Sequence, residues 1–174
     1  MLGTRLVRLI EKHSESLSRG LSEELRKSDR TSDYRKIPID ETRTAAGEVY
    51  RHLAEWLLQK TETDIAERFR YIAAQRAGEG VRLHQFVWAL MLTRDYLWQF
   101  LRREAVADNI LELHGELELH RLLNQFFDRA VYYAILGYEE AAKQGAKGNL
   151  QRAQELAISI GLMSAPEISK FLED

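Results

Sequence analysis

The sequence predicts an all-α protein, a helical bundle of four to five main helices for which globin-like packing is the alternative arrangement. Three observations carry this. Apolar residues recur at spacings of three and four along most of the 174 residues, which is the periodicity of amphipathic helices. Only two prolines, Pro38 and Pro166, and ten glycines interrupt them. No run of strict apolar and polar alternation is long enough for a half-buried strand. Long amphipathic helices joined by short loops bury their stripes against one another.

The first helix is expected from about Leu2 to Lys27, with Leu6, Ile10, Leu17, Leu21 and Leu25 at helical spacing. Gly20 inside it costs about 1 kcal/mol against alanine. The stretch SDRTSDYRKIP, residues 28–38, is rich in turn formers and reads as a linker ending at Pro38. Asp40 is placed to cap a second helix to about Lys60 that buries Ala46, Val49, Leu53, Trp56 and Leu57. Thr61 or Thr63 caps a shorter third helix through Phe69, Ile72 and Ala73, ended by the glycines of AGEG.

The fourth helix spans about Arg82–Arg103. A fifth is expected from near Asn109 to Lys143, with Leu119, Leu123, Phe126, Phe127, Ala130, Val131, Ala134 and Tyr138 on its apolar side. Gly115 and Gly137 in it mark kinks or close approaches. KQGAKGN then reads as a break, followed by a helix over Leu150–Ile160 and a last one from Ala165, opened by the capping box Ser164–Glu167. The expected organisation is a bundle over residues 1–144 and a C-terminal extension of short helices over 145–174.

Composition narrows the function classes. Hydrophobic residues at 45% and charged residues at 30% suit a folded globular protein. A net charge of −2 offers no general attraction to nucleic acid or to an anionic membrane, so neither is an expected partner. The absence of cysteine excludes disulfides, thiol catalysis and thiolate metal sites. The N-terminal stretch carries charge every few residues and develops no apolar core of a signal peptide. The longest uncharged runs, Leu83–Thr93 and Leu156–Pro166, fall well short of the roughly 20 residues that span a bilayer. A cytoplasmic protein is expected.

Candidate functional residues are polar groups in apolar company. Leu83, Val87, Leu90, Arg94, Leu97 and Leu101 follow steps of four and three, so they share a helix face on which Arg94 is the one charge. A guanidinium there must find an acid, snorkel outward or meet a ligand. The fifth helix offers His120, Asn124 and Asp128 at successive turns, a polar ladder on a mostly apolar helix. An Arg94–Asp128 pair would satisfy both charges and fix the register of two helices; a pocket in which Arg94 meets a ligand uses the same residues.

Trp88, Tyr96 and Trp98 supply aromatic surface for the core or for a partner helix, which makes a homodimer the expected assembly. Glu48/His52 and Glu116/His120 fit surface pairs. No Glu-x-x-His, His-Glu-x-x-His or His-x-x-x-His occurs, so no metal site is expected. A haem carrier, with His84, His114 or His120 as ligand, is the alternative reading. GEG lacks the preceding strand and third glycine of a dinucleotide loop, and no phosphate loop, nucleophile elbow or kinase signature is present. An enzyme is not expected.

Three stretches carry a family resemblance over about Glu48–Ala142. GEGVRLHQFVWAL has a glycine-led helix entry, TRDYLWQFL places Arg94 and Trp98 together, and LLNQFFDRAVYYAILGYEEA holds Asp128 and the Gly137–Tyr138 pair. Together they resemble the N-terminal domain of the RsbT co-antagonist protein RsbRD. The resemblance implies a bacterial sensory or regulatory input module of the stress response, acting on a regulatory protein partner. Such modules precede an output domain, and the residues after Gly145 are too few for one, so a stand-alone relative or a fragment is implied here.

Overall fold

The structure, a computed structural model, describes residues 2–107 and 113–159, with side chains described at 4–104, 115 and 117–156. It is all-α, and no strand occurs among the described residues. Helix α1 covers Leu2–Lys27, α2 Ile39–Gln59, α3 Glu62–Gly78, α4 Leu83–Ala107 and α5 Leu113–Ser159. The chain forms two compact units, Met1–Tyr138 and Glu139–Asp174.

In the first unit α1 packs chiefly on α2 and also on α4. The expected apolar stripes are the buried ones: Leu6, Ile10, Leu17, Leu21 and Leu25 on α1, Ala46, Val49, Leu53, Trp56 and Leu57 on α2, and Phe69, Ile72 and Ala73 on α3. Phe126 of α5 is fully buried, with its ring 5.7 Å from both Trp56 and Phe69 and 5.2 Å from Phe127. These edge-on and tilted pairs lock α5 against α2 and α3.

Two close approaches set helix spacing. A Cβ on Gly137 would lie 2.7 Å from the Arg70 carbonyl oxygen and 2.8 Å from the Ala73 Cβ, so α5 meets the α3 backbone there. A Cβ on Gly20 would overlap the Tyr96 hydroxyl at 1.8 Å, so α4 reaches α1 through that side chain. Tyr138 closes the same unit from α5, donating to the Val81 carbonyl at 2.9 Å.

The linker expected at residues 28–38 is built structure. Residues Asp29–Lys36 form a 3-10 segment in which Thr31, Asp33 and Tyr34 are buried. Thr31 donates back to the Leu25 carbonyl at 2.6 Å, sealing the end of α1. Asp33 accepts from the Arg82 backbone N–H at 3.1 Å and its Nε at 2.9 Å, while the Gln85 side chain accepts from the Asp33 backbone N–H at 2.7 Å. The Arg82 contacts hold the Asp33 carboxyl well below the usual carboxylate range. Turn-forming residues are compatible with a compact capped segment as much as with an open loop, and here the buried carboxylate decides.

Two other expectations change. Asp40 lies within the first turn of α2, where an acid opposes the positive end of the dipole, and Pro38 occupies the cap position. KQGAKGN does not break the chain: α5 passes through Gly145 and Gly148 to Ser159. Each glycine costs about 1 kcal/mol, but alanine, lysine, glutamine and leucine around them favour helix and no proline intervenes. The Ser164–Glu167 box and the last helix lie outside the described residues.

A Gly137→Ala substitution should therefore destabilise the protein by about 1–3 kcal/mol through overpacking, although alanine favours helix. Gly145, with nothing within 4 Å of the same position, should instead gain up to about 1 kcal/mol of helix stability as alanine. Urea denaturation followed by circular dichroism compares the two signs.

Candidate functional site

Residues on α4 and α5 line a cleft of about 300 Å³. Its walls are Arg94, Asp95 and Trp98 from α4 and His120, Leu123, Asn124 and Asp128 from α5. The polar ladder expected from the sequence thus faces Arg94 and Trp98 across one cleft. Helical spacing explains the arrangement: His120, Asn124 and Asp128 are one turn apart, on the flank of the buried row Leu119, Leu122, Leu123, Phe126, Phe127 and Ala130.

Arg94 does not sit in the middle of the core row. The buried face of α4 is Phe86, Ala89, Leu90, Thr93, Leu97, Phe100 and Leu101. Thr93 takes the inward position that the leucine spacing assigned to Arg94. Its hydroxyl donates to the Ala89 carbonyl at 2.7 Å, which removes the cost of burying it. Arg94 is half-buried at the margin of that face, its side chain 27% exposed.

The expected direct pair with Asp128 does not form. Arg94 Nε donates instead to Asp95 Oδ1 at 3.2 Å, and the Arg94 terminal nitrogens have no partner among the described residues. Asp128 is exposed and likewise has no partner among them. Two opposite charges therefore face one cleft without meeting.

The remaining wall is aromatic and amide. The Trp98 and His120 rings lie 5.0 Å apart at 60°, and the Arg102 guanidinium stands 5.9 Å from the Trp98 ring. The Asn124 side-chain nitrogen lies 3.3 Å from His120 Nδ1. Of the aromatic interface candidates only Trp98 belongs here. Tyr96 packs on Gly20 of α1, and the half-buried Trp88 ring is covered by Arg30 at 4.2 Å. Asp95 is not marked by the sequence pattern, because a residue adjacent to Arg94 stands about 100° away around the helix and pairs with it only through the length of the guanidinium side chain.

The histidines fall in different surroundings. His84 is exposed, as is His120 on the open cleft, and the His114 side chain lies outside the described residues. His52 has a displaced titration. It meets Arg68 and Glu55 rather than the expected Glu48, and burial, then Arg68, lowers its imidazole to about 4. No group of three His, Asp or Glu side chains that could hold a metal occurs among the described residues.

A larger groove of about 670 Å³ runs between α1 and α2 over Val7, Ile10, Tyr50, Ala54 and Leu58. Most of its rim charges are already matched, Glu15 by Arg19, Arg43 by Asp40, Arg51 by Glu48 and Glu55 by Arg68, and the one left without a partner among the described residues, Glu11, is an acid with no free cation opposite it. A smaller space of about 50 Å³ lies between Leu25, Val49, Ile72 and Leu90, and neither has a histidine in its wall among the described residues. The α4/α5 cleft differs in keeping unspent charge of both signs, which is why it is the candidate site.

No family model matches the chain, and no curated protein or solved structure is significantly similar to it. No helix among the described residues is long and apolar enough to cross a membrane.

Because Arg94 makes only a half-exposed pair, Arg94→Leu should change unfolding free energy by less than about 1 kcal/mol. Leu97→Ala, one turn away and fully buried, should cost about 2–5 kcal/mol in the same denaturation series. His52 yields a pH dependence. Its folded imidazole protonates later on acidification than the unfolded one, so stability falls between about pH 6.5 and pH 4 and levels below. His52→Gln should flatten the stability profile across that window.

Proposed function

We propose that the chain is a non-enzymatic signalling module that receives a ligand or partner group in the α4/α5 cleft and acts through protein contacts as a homodimer. The observation that carries this reading is the cleft itself. Three of its polar side chains stand on α5, and that same helix continues to Ser159. A group that contacts both walls responds to the spacing of α4 and α5, which is the kind of differential contact that biases a conformational equilibrium.

The resemblance to the RsbRD N-terminal domain supports the same reading, since Arg94, Trp98 and Asp128 lie within the stretches that carry it and all three line the cleft. It implies a bacterial stress-response setting and a regulatory protein as the partner. The surroundings of the cleft do not favour catalysis: among the described residues it holds no serine, threonine, cysteine or lysine to act as a nucleophile beside His120.

Light scattering coupled to size exclusion should give twice the chain mass. Hydrogen exchange on wild type and Asp128→Arg tests transmission, since a second positive charge opposite Arg94 should change protection along residues 139–156. A strictly monomeric protein whose exchange beyond Tyr138 ignores the charge reversal would sink this reading.

A further inference from the structure

We propose that the α4/α5 cleft binds a free α-amino acid as its zwitterion, with Arg94 taking the carboxylate and Asp128 the ammonium. This rests on the cleft being the receiving site of the module and names the class of ligand. The argument starts from what the two charges lack. Arg94 spends its Nε on Asp95 and keeps two terminal nitrogens without a partner among the described residues. That is a two-donor edge of the kind that takes a carboxylate in bidentate fashion. Asp128 keeps both carboxylate oxygens unpartnered among the same residues, an acceptor-only group suited to an ammonium.

Charge balance favours a zwitterion over a simple ion. A lone anion would meet Arg94 with Asp95 already on it and Asp128 in the same cleft. A lone cation would meet the two carboxylates but face Arg94. A ligand with both charges on neighbouring atoms satisfies each wall without leaving a like charge opposed. The space left beside these groups is bounded by the half-buried Trp98, whose indole is open to a ligand side chain, above the buried Leu123. Asn124 lies between His120 and Asp128 on the same helix face, adding an amide that can accept from or donate to the backbone atoms of an amino acid. A volume near 300 Å³ is at the lower end for small-molecule sites, which fits an amino acid and excludes a large cofactor.

The test is a nitrogen-15 NMR titration with each of the twenty common α-amino acids through the millimolar range. The Trp98 indole N–H and the Asn124 side-chain amide should shift saturably with at least one of them, while the indoles of Trp56 and Trp88 stay in place. For the tightest binder, the N-acetyl derivative and the amine lacking the carboxylate should each bind at least about tenfold more weakly, a charge-assisted contact being lost in each. Asp128→Asn should weaken the amino acid by a similar factor and leave the N-acetyl derivative unaffected; Arg94→Gln should do the same with the amine as its indifferent ligand. No saturable shift from any of the twenty, or an N-acetyl derivative as tight as its parent, overturns the proposal. If that occurs while the protein is dimeric and its α5 exchange responds to Asp128→Arg, the ligand class falls and the signalling reading stands.

Discussion

The buried carboxylate of Asp33 is the constraint on which the arrangement of the first unit depends. It accepts from the backbone and side chain of Arg82, the residue before α4 begins, while Gln85 from the first turn of α4 holds the Asp33 backbone. A charge with so little solvent access is tolerable only when its lone pairs are filled, so these contacts come as a set. As a set they fix where α4 starts and how it is rotated. Rotation is what decides that Thr93 faces the core and Arg94 its margin. With α4 turned by one residue, Arg94 would enter the apolar interior and the α4/α5 cleft would lose its positive wall.

That dependence shows what could be read in the sequence and what could not. The buried faces of α1, α2 and α3 follow directly from residues such as Leu17, Leu53 and Phe69, because burial of a helix stripe imposes its period on the apolar residues. On α4 the period alone is ambiguous. The rows Leu83, Val87, Leu90, Arg94, Leu97 and Phe86, Leu90, Thr93, Leu97, Phe100 share two leucines and differ by roughly 60° around the helix. Leucine content favours the first, and a threonine that returns its hydroxyl to Ala89 lets the second be the buried one. The Asp33 set that selects between them joins residues some fifty positions apart, a separation that no local pattern encodes.

The candidate site was legible in another sense. His120, Asn124 and Asp128 mark one flank of α5 because polar residues at successive turns of an apolar helix must share a surface. Their convergence with Arg94 and Trp98 follows from α4 and α5 being neighbours. The direct Arg94–Asp128 pair does not follow, since its geometry depends on helix spacing. The spacing of α5 is governed from the α3 side, where Gly137 rides on the Arg70 carbonyl and Phe126 wedges against Phe69. An α5 held there leaves Asp128 short of Arg94, and Asp95 is close enough to take the guanidinium first.

A cleft held open by packing elsewhere can work as a sensor only if filling it is worth enough. An ion pair closed directly across it would leave nothing for a ligand to alter. Two charges kept apart offer a bridging group two charge-assisted contacts, each worth about 1.5–3 kcal/mol when shielded from water and less at the exposed Asp128. Their sum, at most about 6 kcal/mol before the cost of immobilising the ligand, is an upper limit to set against the roughly 5.5 kcal/mol that carries a two-state equilibrium from one part in a hundred to its inverse. Immobilisation takes a share, so one bridge produces a smaller population shift than that limit. Both walls are needed for even this much, because a ligand held by Arg94 alone has the same affinity whatever the position of α5. In the proposed module the three polar side chains on α5 are therefore what couples occupancy to the position of that helix, and Asp128, with no other partner among the described residues, is the one whose charge spans the gap.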